Sequence, residues 1–275
     1  MHIRFGFDIA YEFPVATPVV LMLHLRPELA PRLVTPEQLI LIPDVPVGDF
    51  RDGFGNRCTR LTAPAGLLEL RCTATIRDSG QPTALSTEAE EWPVSTLPAA
   101  VLSFLLPSRY CDVDLLGEVA WSQFNTIPPG WGRVQAVSDW VHQHLRFDYG
   151  QARPTRTASQ AFEERNGVCR DFTHLAITLC RCLNIPARYA TGYLGDIGVP
   201  PDPAAMDFSA WMEVYLGGRW HPFDVRHNAR RIGHLVIARG RDAADVAFTT
   251  SFGPHTLRRF NVTTEEIPAS QNVAA

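Results

Sequence analysis

The hydrophobic pattern of this chain changes twice, and these changes constrain its fold more than any other feature. Residues 1–77 consist of short segments rich in β-branched and aromatic side chains, separated by proline and glycine, as is typical of strands. Over residues 97–183 apolar side chains recur at helical spacing, and strand-like segments return from residue 187. We therefore predict an α+β protein. An N-terminal antiparallel β-sandwich (1–96) would precede a core of helices packed on an antiparallel sheet (97–275).

The composition argues against several classes of partner. The net charge is −4, so no basic surface for nucleic acid or an anionic membrane is predicted. No segment is long and apolar enough to span a bilayer, and the N-terminus lacks the apolar stretch of a signal peptide, so we expect a cytoplasmic protein. The six cysteines are too sparse for a disulfide scaffold and show no metal-ligand spacing. We expect free thiols, with neither a metal nor a cofactor.

One cysteine stands where a turn gives way to a helix, in the segment RNGVCRDFTHL. The apolar stripe that follows predicts a helix from Arg170 to Leu183, which places Cys169 at its first turn. Unpaired N–H groups and the helix dipole favour an anion there, so we expect the thiol pKa to be lowered and the thiolate to act as a nucleophile. Because a cysteine at a helix start is more often structural, this segment alone does not establish catalysis.

A short helix is predicted immediately before this cysteine, in the segment TASQAFEER. Thr157 and Gln160 have the spacing of a capping box at its start, and Asn166-Gly167 could close its end in a left-handed conformation. Asp171 could orient a base or cap the start of the following helix, and we favour the cap. The turn before the cysteine would then lie between two helices with defined ends.

A β-hairpin is predicted further along the chain, around the two-residue turn Gly217-Gly218. If Leu216 pairs with Arg219, alternation along the two strands puts Ser209 and Asp224 on the same face of the sheet. The two side chains are then diagonal neighbours. Asp224 is then within reach of Ser209.

Four motifs in this order resemble the transglutaminase-like superfamily of papain-type thiol enzymes: NGVCRDF, IPARYATGY, AWMEVYL and WHPFD. Residues 1–96 also resemble the β-rich N-terminal domain of bacterial members. The resemblance implies a transglutaminase-like core and a Cys-His-Asp triad. It assigns the cysteine role to Cys169 and the aspartate role to Asp224.

The histidine of the triad is where this sequence departs from the family. The family's base stands two residues before the tryptophan of AWMEVYL, and Ser209 occupies that position. Serine does not accept a proton near pH 7 as imidazole does. His174 lies on the predicted helix, rotated by roughly 140° from the cysteine. His221 and His227 have the wrong strand parity to face Asp224, but His227 could turn toward it if the strand ends just past Asp224.

Two hypotheses follow. In the first, the protein is a cysteine hydrolase or acyltransferase that acts on an amide or peptide bond of a peptide or protein through a Cys169 thioester. In the second, Ser209 marks a non-catalytic member that keeps the fold as a binding or scaffold module. The sequence does not predict the oligomeric state.

Overall fold

The computed structural model describes residues 1–201 and 205–268, so residues 202–204 and 269–275 of the predicted core lie outside the described residues. It confirms an α+β architecture whose larger sheets are antiparallel. The strands are β1 His2–Phe13, β2 Thr17–Leu21, β3 Ile40–Ile42, β4 Val47–Arg51, β5 Arg57–Ala63, β6 Gly66–Arg77, β7 Arg146–Phe147, β8 Asn166–Gly167, β9 Ala187–Tyr193, β10 Ser209–Leu216, β11 Arg219–Phe223, β12 Leu235–Gly240, β13 Thr249–Ser251 and β14 Thr256–Ile267. The α-helices are α1 Ala99–Leu102, α2 Val113–Phe124, α3 Trp131–His144, α4 Ala158–Glu164 and α5 Cys169–Cys182.

The N-terminal half contributes to two four-stranded sheets, ordered β14-β1-β6-β3 and β13-β2-β5-β4. The last strands of the chain return to complete both sheets: β14 runs antiparallel along β1, and β13 pairs with β2. Residues 249–267 therefore lie in the N-terminal sheets, which differs from the predicted assignment of every residue from 97 onward to the core. Pairing across such a long sequence separation leaves no local signal in the sequence. The boundary at residue 96 and the sandwich arrangement stay predictions.

Strand β1 joins the two halves of the protein, because residues on both of its faces are buried. The ring of Phe5 lies 5.0 Å from that of Tyr193 on β9, and the ring of Phe7 lies 6.5 Å from that of Phe208. These aromatic contacts are part of one continuous apolar cluster that extends through both halves. The segment that leads into β10 is consequently held against the N-terminal sheet.

The second half is built on the sheet β11-β10-β9-β12, against which α5 packs. Gly192 on β9 pairs with Ser209 on β10. An added Cβ at Gly192 would lie 2.0 Å from the carbonyl oxygen of Leu235, so the close approach of β12 at this point requires glycine. The small residue thus allows three strands to meet beside the start of α5.

The helix ends around the cysteine agree with the predictions in most respects. The capping box of Thr157 and Gln160 at the start of α4 is confirmed. Arg165, with φ 55°, takes the left-handed conformation at the end of α4, so the assignment of that role to Asn166-Gly167 is wrong. Those two residues extend instead and pair with β7, which leaves the turn to the residue before them.

Within the described residues, no helix has the length and apolarity to cross a membrane.

Candidate active site

The start of α5 is fixed by a buried carboxylate. Asp171, which is 1% exposed, accepts a hydrogen bond from the backbone N–H of Val168 at 3.0 Å and another from the Arg156 guanidinium at 3.0 Å. It therefore caps the helix, as predicted. A Cβ at Gly167 would lie 2.6 Å from the Cβ of Asp171, so the turn can pack this closely only with glycine. Cys169 follows directly on this rigid turn.

Cys169 differs from the other cysteines in its exposure. All six are free thiols, and five are buried, whereas Cys169 is partly exposed. It opens into two cavities. The polar cavity, of about 70 Å³, is lined by side chains that include His227 and Arg226. The apolar cavity, of about 390 Å³, is lined by side chains that include Phe248 and Phe260. Cys169 stands between the two cavities and is reachable from both.

The thiol of Cys169 is neutral at ordinary pH. Desolvation of the sulfur by the surrounding protein, and then the nearby Asp207 carboxylate, raise its pKa to about 11. The Arg226 guanidinium and the backbone N–H groups of Ala210 and Arg170 act in the opposite direction but do not compensate. The expected lowering of the pKa by the helix N-terminus is therefore wrong, because desolvation outweighs it. A thiol in this state needs a base to act as a nucleophile.

The rate of alkylation of Cys169 by iodoacetamide is expected to rise about tenfold per pH unit between pH 7 and 10, because only the thiolate reacts and its fraction grows at that rate below the pKa. Peptide mass spectrometry after timed quenching measures the rate at each cysteine. Cys111 is the matched control, since burial raises its pKa to about 11 as well but it is 0% exposed. Cys111 should stay unlabelled in the folded protein. Rapid labelling of Cys169 that is flat from pH 6 to 9 would contradict the raised pKa.

Asp224 and His227 form a pair at the end of β11. The predicted hairpin register is confirmed from Leu216 opposite Arg219 to Met212 opposite Phe223. The strand then ends, so the parity that separates His227 from Asp224 no longer applies. The Nδ1 atom of His227 lies 2.6 Å from Oδ2 of Asp224, and the His227 backbone N–H donates to Oδ1 at 3.2 Å.

The Asp224 carboxylate is held in its charged form. Burial alone would raise its pKa, but the hydrogen bonds and charge of His227 and the charge of His234 keep the pKa below its usual range. The side chain is only 2% exposed, and the Arg231 guanidinium lies 3.8 Å away. Because an ionised carboxylate only accepts hydrogen bonds, Nδ1 of His227 carries the proton. In the neutral form of the ring, Nε2 is then the acceptor nitrogen.

Asn228 fixes the turn that brings His227 back to Asp224, and sequence reasoning missed it. Its φ is 48°, and its backbone N–H donates to the carbonyl oxygen of Asp224 at 2.8 Å. Its side-chain amide donates to Asp139 at 2.7 Å and accepts from Ser138 at 3.0 Å, both on α3. Asparagine is a common turn residue, and its position a few residues after the strand could have indicated this bend.

The other two candidate histidines lie in structural positions. His174 is 0% exposed, stacks 5.1 Å from the Tyr110 ring and accepts a hydrogen bond from the Ala243 backbone N–H at 3.1 Å. Burial lowers its pKa well below the usual value. Nε2 of His221 lies 3.2 Å from the carbonyl oxygen of Leu216, within the hairpin.

Ser209 lies beside the cysteine and lines both cavities with it. The structure therefore brings together Cys169, Ser209, Asp224 and His227 at one site, and leaves His174 and His221 in the core.

Comparison with known proteins supports the family resemblance. The profile of the Transglutaminase-like superfamily matches residues 122–225, a range that contains Cys169 and Asp224 and ends just before His227. The crystal structure of a candidate cysteine protease from Cytophaga hutchinsonii is 33% identical, with 98% of this chain and 91% of that chain covered and a TM-score of 0.83.

Curated relatives include two uncharacterized mycobacterial proteins. The one from Mycobacterium leprae is 26% identical over 242 residues, which is 80% of this chain and 82% of the relative. The one from Mycobacterium tuberculosis strain H37Rv is 25% identical over 218 residues, or 71% of this chain and 68% of the relative. The likeness to the Cytophaga structure spans nearly the whole chain, including the N-terminal sheets and the site. The chain therefore belongs to the transglutaminase-like superfamily.

Proposed function

We propose that this protein cleaves or transfers the acyl group of an amide or peptide bond in a peptide or protein, with Cys169 as nucleophile and His227 as base. The superfamily and the Cytophaga structure support a cysteine hydrolase or acyltransferase in general. The observation that carries the specific proposal is the 2.6 Å contact between His227 and Asp224 beside the polar cavity that Cys169 lines. An imidazole oriented by a buried carboxylate near a nucleophile is the arrangement of a catalytic triad.

In the proposed reaction, Nε2 of His227 takes the proton from the Cys169 thiol while the sulfur attacks the carbonyl carbon. The transfer accompanies the attack because the resting thiol is neutral. The amine leaves with the proton that His227 returns to it, and a thioester remains on the sulfur. Asp224 holds the Nδ1–H tautomer and stabilises the imidazolium. In this proposal the backbone N–H of Cys169, at the start of α5, donates to the oxyanion. Water or a second amine then resolves the thioester.

The main alternative is a binding or scaffold module, which Ser209 suggested because it stands in the family's histidine position. In the proposed site, His227 takes over that role from a different element. The buried charge of Asp224 supports the enzyme hypothesis. A scaffold has no need of a carboxylate that is 2% exposed and bonded to a partly exposed imidazole. If the protein is a scaffold, no acyl adduct should form on Cys169.

Trapping of the thioester tests the proposal. The protein is incubated with a mixed library of acetylated peptide amides, with and without hydroxylamine. Intact-protein mass spectrometry detects an added acyl group, and mass spectrometry of a digest locates it at Cys169. We expect an acyl adduct on Cys169 that hydroxylamine removes, together with release of peptide hydroxamates, because a thioester reacts readily with this nucleophile. The Cys169→Ala protein serves as control and should form neither. Absence of both adduct and hydroxamate from the unmodified protein would contradict the proposed function.

A further inference from the structure

The chemistry of the base divides the site into two sides. His227 must reach both the thiol proton and the departing amine, since it delivers that proton to the leaving group. The leaving group therefore lies in the polar cavity, which His227 lines. The acyl part of the substrate extends away from it, past Cys169 and Ser209, toward the apolar cavity.

The apolar cavity has the size and surface of a side-chain pocket. Its volume is about 390 Å³, and Val246, Ala247, Ala210, Phe248 and Phe260 contribute to its walls. This size lies within the usual range for small-ligand sites, and such sites are lined mainly by apolar groups. An apolar side chain placed there leaves water for an environment of similar polarity, which favours binding.

Two polar side chains on the walls of this cavity, Thr191 and Arg170, have partners of their own, and the one guanidinium nitrogen of Arg170 without a partner, Nε, is buried. The Thr191 hydroxyl donates to the carbonyl oxygen of Ser209 at 2.8 Å. The Arg170 guanidinium donates to the carbonyl oxygens of Arg153 and Pro154. A carboxamide placed there would have to displace these bonds or stay unpaired, which disfavours it.

A carboxylate on the wall of the cavity also selects among substrate side chains. Asp207 lines both cavities, and one of its carboxylate oxygens accepts the Phe208 backbone N–H at 2.6 Å. The two guanidinium groups on the same walls, of Arg153 and Arg170, are already paired with Glu164 and Asp171. A glutamate or aspartate in the substrate would therefore meet the Asp207 carboxylate, and like charges at short range disfavour binding.

We propose that the apolar cavity binds the side chain of the residue that donates the acyl group, and that this side chain is aromatic or large and aliphatic rather than a glutamine. The inference rests on the proposed function, because it takes its direction from the roles of Cys169 and His227. One wall of the cavity is aromatic. The ring of Phe208 stacks on that of Phe248 at 4.1 Å and meets the ring of Phe260 edge-on at 5.8 Å. A flat or branched apolar side chain can pack against such a wall.

One wall of this pocket comes from the strands that return to the N-terminal sheets. Phe260 lies on β14, opposite Ile9 of β1, and Phe248 directly precedes β13. The catalytic residues lie on α5 and at the end of β11. The pairing of the two halves therefore builds the substrate pocket.

Binding to the Cys169→Ala protein measures the pocket without turnover. The probes are acetyl-Ala-Ala-X-amide peptides with X as Phe, Leu, Gln, Glu or Ala, and NMR titration gives the dissociation constants. We expect the Phe and Leu peptides to bind at least about tenfold more tightly than the Gln and Glu peptides, within the range that one or more methylenes confer in an apolar pocket. Equal affinities, or tighter binding of the Gln peptide, would overturn the proposal.

A pocket-filling variant locates the binding. In the same protein, Ala247→Phe should weaken binding of the Phe peptide by about tenfold or more and leave the Ala peptide nearly unchanged, because it occupies the cavity. The matched control is Ala244→Phe, an exposed position outside the cavity lining, which should change neither. Unchanged binding in Ala247→Phe would overturn the proposal. Selective binding without turnover by the unmodified protein would keep the pocket and contradict only the proposed chemistry.

Discussion

Replacement of Cys169 by alanine is expected to lower kcat/KM on a cleaved peptide amide by about 10⁴-fold or more, since no other group near the base can form the thioester. The fold should remain, because the side chain is partly exposed and alanine is the residue that best supports a helix. We expect the free energy of unfolding to change by less than about 1 kcal/mol. Product release measured by mass spectrometry and urea unfolding followed by circular dichroism check the two parts.

Cys182→Ala is the matched control for this variant. Cys182 ends the same helix, is 9% exposed and donates to the carbonyl oxygen of Val113 at 3.3 Å, away from both cavities. Its replacement should lower stability slightly and leave kcat/KM within about twofold of the unmodified value. If Cys169→Ala kept a large part of the activity, the thioester mechanism would be wrong, whatever the control showed.

Removal of the base should have the next largest effect. His227→Ala is expected to lower kcat by about 10²- to 10⁴-fold, the usual contribution of a general base, with little change in KM because the apolar cavity is untouched. Asp224→Asn should lower kcat by a similar factor, since an amide can hold the imidazole in the wrong tautomer. The two effects should not add in the double variant, because the residues act as one unit.

The comparison for His227→Ala is His255→Ala, an exposed histidine that packs on Tyr11 and Phe13 of the N-terminal sheet. It should leave kcat unchanged. Steady-state kinetics of the four proteins over a range of pH provide the test. Full activity of His227→Ala would show that another group is the base, and additive losses in the double variant would argue that Asp224 and His227 act separately.

The parts of the site that could be predicted from the sequence depend on residues close together in the chain. The capping box of Thr157 and Gln160, the helix that starts at Cys169 and the register of the Gly217-Gly218 hairpin each involve neighbours only a few positions apart. Turn chemistry and side-chain periodicity are local physical properties, so they can be read without knowledge of the rest of the fold. The family resemblance then assigned roles to Cys169 and Asp224.

Two features of the site depended on the tertiary structure alone. The raised thiol pKa of Cys169 follows from desolvation by the packed chain and from the charge of Asp207, which is distant in the sequence. His227 reaches Asp224 because β11 has ended before this point and because the contact of Asn228 with α3 fixes the turn that follows. Burial, charge and strand pairing across a long separation are properties of the packed chain, so no local pattern encodes them.

The sequence by itself therefore determined the α+β class and indicated the proposed nucleophile and its proposed acidic partner. Packing decided that His227 pairs with Asp224 and that the thiol pKa of Cys169 is raised. It also decided that residues 249–267 complete the N-terminal sheets and that Phe260 among them lines the apolar cavity. The physical reason is the range of the interactions: hydrogen bonds within a turn or helix act over a few residues, whereas desolvation and sheet closure act between segments that only the folded chain brings together.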